Sequence, residues 1–150
     1  MKHQQAIRIF VDGSGADPNG VAGFAWLREG QKPFVEWGQG WTNNEAEYKA
    51  ILSAVRALPR GAEATLLCDS ALVIRQLRGE YQAREPRLWD LLAEVEAVVS
   101  NNVLRVAWVW IPRKENKADR LLRHKPKRME QSSCVQEPYK MKSKAKVQAQ

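Results

Sequence analysis

The stretch TNNEAEY, residues 42–48, marks the point where a polar turn becomes a helix. Along this helix the apolar residues recur at helical spacing, and Glu47 falls on the same stripe as Ile51 and Leu58. An ionised carboxylate on a core-facing stripe is costly unless a cation or hydrogen-bond donors meet it. Glu47 is therefore either the solvated polar end of the stripe or one member of an inward-facing site.

The rest of the chain has the pattern of alternating strands and helices in the order βββαβααβα. The predicted strands span residues 6–12, 21–28, 34–41, 64–69 and 104–111, and the predicted helices span residues 43–58, 71–77, 86–101 and 115–124. The first three strands are joined by short polar turns, which predicts an antiparallel meander. Because the later strands are reached through helices, we expect an α/β fold whose mixed five-stranded sheet combines this meander with parallel strands and is flanked by helices.

A chain of 150 residues fits one domain that can bury a core. It has no apolar run of membrane-spanning length, and residues 1–5 lack the apolar centre of a signal peptide. Cys68 and Cys134 give neither a disulfide framework nor the spacing of a zinc site. These features predict a cytoplasmic protein without a membrane-spanning segment. We expect it to be a monomer with no membrane among its main partners.

The positive charge is concentrated at one end of the chain. Residues 1–110 carry 12 Lys and Arg against 13 Asp and Glu, whereas residues 111–150 carry 12 against 4. We therefore predict a globular domain over residues 1–124 and a weakly ordered basic extension over residues 125–150. A basic segment on a near-neutral globule favours a polyanionic partner, nucleic acid first and an anionic membrane surface second. The alternative is a solvated tail that only keeps the protein soluble.

Two further carboxylates fall at the ends of predicted strands. Asp12 ends the first strand and Asp69 ends the fourth, and ligands of open α/β sheets gather outside such strand ends. Each Asp alone is explained equally by a turn or a helix cap. Together with an inward Glu47 they predict a convergent acidic cluster. Asp119, near the start of the last helix, is either a fourth member or a surface or capping residue.

Three or four carboxylates without histidine or cysteine partners call for a hard cation such as Mg²⁺ or Mn²⁺. A pair of these ions can clamp the attacking and leaving oxygens of a phosphodiester. The two histidines, His3 and His124, lie outside the motifs, and no Ser/His/Asp arrangement is evident. The residues therefore predict phosphoryl transfer to water with two bound ions.

Four motifs together resemble type 1 ribonuclease H, in the subgroup of bacterial and archaeal members that lack a long basic protrusion. The motifs are Asp12-Gly13-Ser14 ending the first strand, Thr42-Asn43-Asn44-x-x-Glu47 opening the first helix, Asp69-Ser70 ending the fourth strand, and Asn116-Lys117-Ala118-Asp119 opening the last helix. The resemblance covers residues 6 to about 124, in order and with matching element types. It implies a ribonuclease H-like fold.

The resemblance also implies an activity, namely endonucleolytic cleavage of the RNA strand of RNA–DNA hybrids, leaving 3′-hydroxyl and 5′-phosphate ends. Duplex RNA is a second candidate substrate. The implied ligands of two Mg²⁺ or Mn²⁺ ions are Asp12, Glu47, Asp69 and Asp119. The 2′-hydroxyl is the group by which a protein can tell RNA from DNA, and A-like duplexes display it in a shallow minor groove.

The implied substrate contacts surround these ligands. The predicted substrate-binding residues are Gly13 and Ser14 at RNA 2′-hydroxyls, Thr42 at a DNA phosphate, Asn43 and Asn44 in the minor groove, and Ser70 and Arg113. Arg113 lies in the loop where some members of the family carry a histidine for product release.

The chain departs from the family pattern in its last motif. Asp119 follows Asn116 by three residues, where the family usually has four, and this difference could rotate the carboxylate by a helical step of ~100°. A hybrid- or duplex-binding module with weak or no catalysis is therefore the alternative function. A third possibility is another nuclease or strand-transfer enzyme on the same fold, against which the Thr42–Asn44 motif favours hybrid recognition.

Overall fold

The computed structural model describes residues 6–129. Its strands are β1 Ile7–Ser14, β2 Val21–Arg28, β3 Phe34–Gln39, β4 Glu63–Cys68 and β5 Arg105–Trp110, and its α-helices are α1 Asn43–Arg56, α2 Ala71–Leu77 and α3 Pro86–Asn101. Two short 3-10 helices, Arg113–Glu115 and Asp119–Leu122, follow β5. The predicted order of elements is therefore confirmed through the last strand.

All five strands form one mixed sheet in the order β3-β2-β1-β4-β5. The strands β1, β2 and β3 are a meander of antiparallel neighbours, whereas β4 is parallel to β1 and β5 is parallel to β4. This arrangement confirms the predicted fold class. Because β1 and β4 are parallel neighbours, their carboxyl ends lie at the same edge of the sheet.

The main core lies between one face of the sheet and the helices. Ile51 and Ala54 of α1 are fully buried there, beside Ile9 and Leu66 of the two central strands. A smaller cluster of Phe10, Leu67 and Ala118 lies on the opposite face, as expected from the alternation of side chains along a strand. This second cluster fixes the segment after β5 to the back of the sheet.

The predicted last helix over residues 115–124 is wrong in type, because the chain forms two 3-10 helices there and no α-helix. Residues 116–118 separate them, and the backbone of Asn116 is extended, with φ −83° and ψ 104°. Its side-chain oxygen accepts a hydrogen bond from the backbone N–H of Ala118 at 3.0 Å. Asn side chains that bond nearby backbone in this way compete with helix formation, which accounts for the interruption.

Most of the predicted basic extension, residues 125–150, lies outside the described residues, so its weak order stays a prediction. Within residues 6–129, no helix combines the length and the hydropathy that crossing a membrane requires.

Candidate active site

Three carboxylates meet at the edge of the sheet where β1 and β4 end. Asp12 belongs to β1, Asp69 directly follows β4, and Glu47 lies on α1. Each can offer one oxygen such that the three oxygens all lie within 4.8 Å of one another. Asp12 is only 5% exposed and Glu47 only 8%. Glu47 thus points inward, and the structure brings together the three carboxylates that the sequence predicted to converge.

Glycine at position 13 allows this convergence, because β1 passes directly against the start of α1. A Cβ atom on Gly13 would lie 2.3 Å from the carbonyl carbon of Ala46 and 2.4 Å from the backbone nitrogen of Glu47. A hydrogen bond also joins the residues just after β1 to α1, because the side-chain oxygen of Asn43 accepts from the N–H of Gly15 at 2.7 Å. The end of β1 and the first turns of α1 therefore hold Asp12 and Glu47 as neighbours.

Burial and mutual repulsion set the protonation of the cluster. Burial, followed by the negative charges of Asp69 and Asp119, raises the pKa of Asp12 to about 7. Burial, followed by Asp12 and Asp69, raises the pKa of Glu47 well above its usual range. These carboxylates therefore resist ionisation unless positive charge reaches them.

The donor set fits a hard divalent cation. The carboxylates of Asp12, Glu47 and Asp69 offer oxygen atoms only, which suits Mg²⁺ or Mn²⁺. The neighbouring sulfur belongs to Cys68, whose thiol donates to an oxygen of Glu47 at 3.6 Å. Burial and the charge of Glu47 raise the pKa of this thiol, so it stays protonated and serves as a donor to Glu47.

The structure adds Asn116 to the site, a residue whose role the sequence reasoning did not specify. Its amide nitrogen donates to Oδ2 of Asp69 at 3.0 Å and to the carbonyl oxygen of Val11 at 2.9 Å. Asn116 is buried, so these hydrogen bonds are shielded from water. It therefore orients Asp69 and ties the segment after β5 to the end of β1. In the sequence, the only indication of this role was that Asn116 opens the fourth motif.

Asp119 faces the same cleft but is bound to two arginines. One oxygen accepts from Nε of Arg113 at 3.3 Å, and the other accepts from a terminal nitrogen of Arg123 at 3.2 Å. Among residues 6–129, the group whose ligand atoms lie mutually within 4.8 Å contains Asp12, Glu47 and Asp69 and not Asp119. Arg123 was not predicted as a site residue, although its position four residues after Asp119 is a helical spacing that can bring such a pair together.

An open cleft of about 360 Å³ surrounds the carboxylates. Ten of the eleven predicted site residues line it, namely Asp12, Gly13, Ser14, Asn43, Asn44, Glu47, Asp69, Ser70, Arg113 and Asp119. Leu122 and Arg123 complete the lining. The cleft thus combines four carboxyl groups with polar groups and the guanidinium groups of Arg113 and Arg123.

The remaining predicted residue, Thr42, acts on the cleft through the start of α1. Its hydroxyl oxygen accepts from the N–H of Glu45 at 3.1 Å, and the Glu45 carboxylate accepts from the N–H of Thr42 at 2.8 Å. This reciprocal pair is a capping box, and Arg87 of α3 also donates to Glu45 at 3.2 Å. The cap fixes the backbone that presents Asn43 and Asn44 to the cleft.

We expect Asp12→Asn to stabilise the metal-free protein at pH 8 and to change its stability little at pH 4. The pKa of Asp12 is raised from 3.8 to about 7 in the folded protein, so the stability it contributes while protonated is lost as the pH rises through this interval. The Asn side chain has no such proton to lose. The free energy of unfolding of the variant at pH 8 should therefore exceed that of the original protein by on the order of 2–4 kcal/mol.

Urea unfolding in EDTA at both pH values measures this difference. Asp90→Asn, which makes the same change at an exposed position of α3, is the control and should have little effect at either pH. Equal stabilisation by Asp12→Asn at pH 4 and pH 8 would contradict the expected titration.

The mixed sheet and the cluster of carboxylates at its edge together define an α/β protein with an oxygen-only site suited to a hard divalent cation. A family model described as RNase H matches residues 4–125. The chain therefore belongs to the RNase H family, which confirms the resemblance found in its motifs.

The chain is similar in sequence to two curated relatives. It is 34% identical over 122 residues to the bifunctional protein Rv2228c of Mycobacterium tuberculosis, a match that covers 75% of this chain and 33% of the relative. It is 28% identical over 120 residues to a ribonuclease H of Albidiferax ferrireducens, covering 71% of this chain and 80% of the relative. The chain thus spans about one third of the length of the mycobacterial relative.

The fold is also similar to that of LC11-RNase H1, a protein isolated from compost by a metagenomic approach. One structure of it aligns with a TM-score of 0.71 at 28% identity, covering 79% of this chain and 93% of the other. A second structure, solved in complex with an RNA/DNA hybrid, aligns with a TM-score of 0.67 at 29% identity, covering 77% of this chain and 92% of the other.

Proposed function

We propose that this protein is an endoribonuclease that hydrolyses the RNA strand of RNA–DNA hybrids and leaves 3′-hydroxyl and 5′-phosphate ends. The observation that carries the proposal is the convergence of Asp12, Glu47 and Asp69, with oxygens within 4.8 Å, in an open cleft of a chain of the RNase H family. An open cleft suits a polymer, because the strand can lie across it with one phosphodiester at the carboxylates.

In this proposal the three carboxylates hold divalent cations at the scissile phosphodiester. When bound, two Mg²⁺ or Mn²⁺ ions would supply the Lewis acidity that stabilises the attacking and leaving oxygens. Asp12 and Glu47 hold their positions because β1 presses against α1 at Gly13. Asn116 holds Oδ2 of Asp69 and so fixes the orientation of that carboxylate. This packing and this hydrogen bond keep the three carboxylates in place before substrate arrives.

The polar lining of the cleft supplies the proposed grip on the hybrid. Asn43 and Asn44 begin α1 at the rim, where side-chain amides can reach base edges and sugars in a shallow minor groove. The backbone at Gly13 and Ser14 is the proposed contact for RNA 2′-hydroxyls. This division is consistent with the fold's similarity to LC11-RNase H1, which was solved with an RNA/DNA hybrid.

The arginines beside Asp119 give this residue two possible states. Arg113 and Arg123 neutralise its carboxylate in the structure. If Asp119 is to act as a fourth ligand, it must exchange at least one of these contacts, and the released guanidinium can then meet a phosphate of the substrate. If the arginines keep it, Asp119 serves to hold them at the cleft. The pairing of Asp119 with both arginines is the observation that favours the alternative function, a hybrid-binding module with weak catalysis.

Cleavage of an end-labelled RNA–DNA hybrid tests the proposal. The RNA strand should be cut at internal positions with Mg²⁺ or Mn²⁺, cutting should stop in EDTA, and a matched DNA duplex should stay intact. The new ends should carry 5′-phosphate and 3′-hydroxyl groups. The same assay with a duplex RNA of the same sequence tests the second candidate substrate.

Asp119→Asn separates the two states of the fourth carboxylate. A ligand role predicts a large loss of turnover that persists at saturating metal, whereas a holding role predicts weaker hybrid binding with turnover largely kept. Tight hybrid binding without any cutting by the original protein would overturn the nuclease proposal in favour of a binding module.

A further inference from the structure

The side chain of Lys125 ends between two backbone carbonyls, one at the start of the β1–β2 loop, residues 15–20, and one just after its end. Its ammonium group donates to the carbonyl oxygen of Gly15 at 3.1 Å and to that of Val21, the first residue of β2, at 2.9 Å. Within the described part of the chain, this ammonium forms no ion pair with a carboxylate. Lys125 is therefore bound to the backbone of this loop and not to a charged side chain.

The same loop is also bound by residues at and just before the start of α1. The N–H of Gly15 donates to the side chain of Asn43 at 2.7 Å, and the N–H of Ala16 donates to the carbonyl of Trp41 at 2.8 Å. Lys125 and the entry to α1 thus both bind the backbone of this loop. Gly13 and Ser14, which line the cleft, lead directly into this loop.

We propose that Lys125 is a positioning residue for substrate binding, which fixes the β1–β2 loop so that the backbone at Gly13 and Ser14 is held ready at the cleft. Hydrogen bonds from a charged donor are among the stronger ones in proteins, and two of them converge here. The basic C-terminal segment therefore contributes to substrate grip through one defined contact, in addition to any attraction between its charges and phosphates. This inference rests on the proposed function for its substrate.

A nearby lysine of the same basic segment allows the positioning role of Lys125 to be distinguished from general electrostatic attraction to phosphates. Lys127 lies two residues further on and is exposed, so Lys127→Met removes the same charge without touching the loop contact. Any effect of general attraction between the segment and phosphates should appear in both variants. An effect of loop positioning should appear in Lys125→Met alone.

Amide hydrogen exchange of the free protein is the first measurement, because it needs neither substrate nor metal. Exchange at residues 15–21 should speed up in Lys125→Met, by about tenfold if one such contact is lost, while exchange in α3 stays as in the original protein. Lys127→Met should match the original protein throughout. Unchanged exchange at residues 15–21 in Lys125→Met would overturn the proposal.

Steady-state cleavage of the hybrid at fixed salt is the second measurement. KM should rise about tenfold in Lys125→Met with kcat within about twofold, and KM should change far less in Lys127→Met. Equal increases of KM in the two variants would overturn the positioning role. If Lys125→Met does not fold, Lys125→Gln gives the same comparison with a milder change. Failure of the original protein to cut the hybrid would reject the proposed function, whereas the exchange result would still decide the role of Lys125.

Discussion

Asp69→Asn should lower cleavage of the RNA strand by on the order of 10³-fold or more while leaving the protein folded. The substitution keeps the size of the side chain and its position after β4, and it removes one of the three carboxylates of the cluster. The amide that replaces the carboxylate can still offer an oxygen to the donor group of Asn116. The expected loss therefore reflects metal and phosphate chemistry and not collapse of the site.

The rate is measured as single-turnover cleavage of the end-labelled hybrid at saturating Mg²⁺, with thermal unfolding as the check on folding. Asp90→Asn is the matched control, because it makes the same change on an exposed position of α3 and should leave the rate within about twofold. A folded Asp69→Asn variant that retains a tenth of the original rate would contradict the placement of Asp69 at the reacting phosphodiester.

Gly13→Ala should both destabilise the protein and impair cleavage. The added Cβ atom would lie 2.3 Å from the carbonyl carbon of Ala46 and 2.4 Å from the nitrogen of Glu47, so backbone must move. Overpacking between two rigid elements costs about 3 kcal/mol. The movement also separates Asp12 from Glu47, and a misplacement of about 1 Å at a reacting centre can cost on the order of 10²-fold in rate.

Gly30→Ala distinguishes this steric effect from the general cost of replacing a glycine. Gly30 has a φ of +83° and no neighbouring atom within 4 Å of the added Cβ. Its replacement should therefore lower the free energy of unfolding by about 1 kcal/mol through backbone strain alone, with no change in cleavage rate. Urea unfolding and single-turnover rates measure both variants. Similar rates for Gly13→Ala and the original protein would show that the approach of β1 to α1 does not set the site.

The convergence of the three carboxylates was accessible from sequence because each follows a local rule. Glu47 shares a helical stripe with Ile51 and Ala54, and all three are buried. Asp12 and Asp69 end strands whose parallel pairing brings their carboxyl ends to one edge. Periodicity, together with the helices that lead to the later strands, therefore predicted both the mixed sheet and the three positions.

The extent of β1 was less predictable. The sequence indicated an end at Asp12, before two residues that favour turns, yet the strand continues to Ser14. Its pairing with β2 continues as well, since Ser14 lies opposite Gly23. Strand pairing with a distant segment thus overrode the local preference of Gly13 and Ser14 for a turn.

The contacts around Asp119 and Asn116 could not be predicted from sequence for a related reason. The 3-10 geometry of this segment depends on the buried side chain of Asn116, whose partners Val11 and Asp69 are distant along the chain. The same holds for Lys125, whose acceptor Gly15 precedes it by 110 residues. No periodic pattern encodes such contacts, because they depend on how finished elements pack.

The hydrogen bond from Asn116 to Val11 joins residues 105 positions apart and so bears on how the domain is made. A chain synthesised only as far as β5 carries all three clustered carboxylates but lacks the amide that orients Asp69. Asn116 follows β5 in the chain, so this contact cannot form until the segment after β5 has been synthesised. During translation the cleft would therefore acquire its final geometry only after nearly the whole domain has emerged from the ribosome.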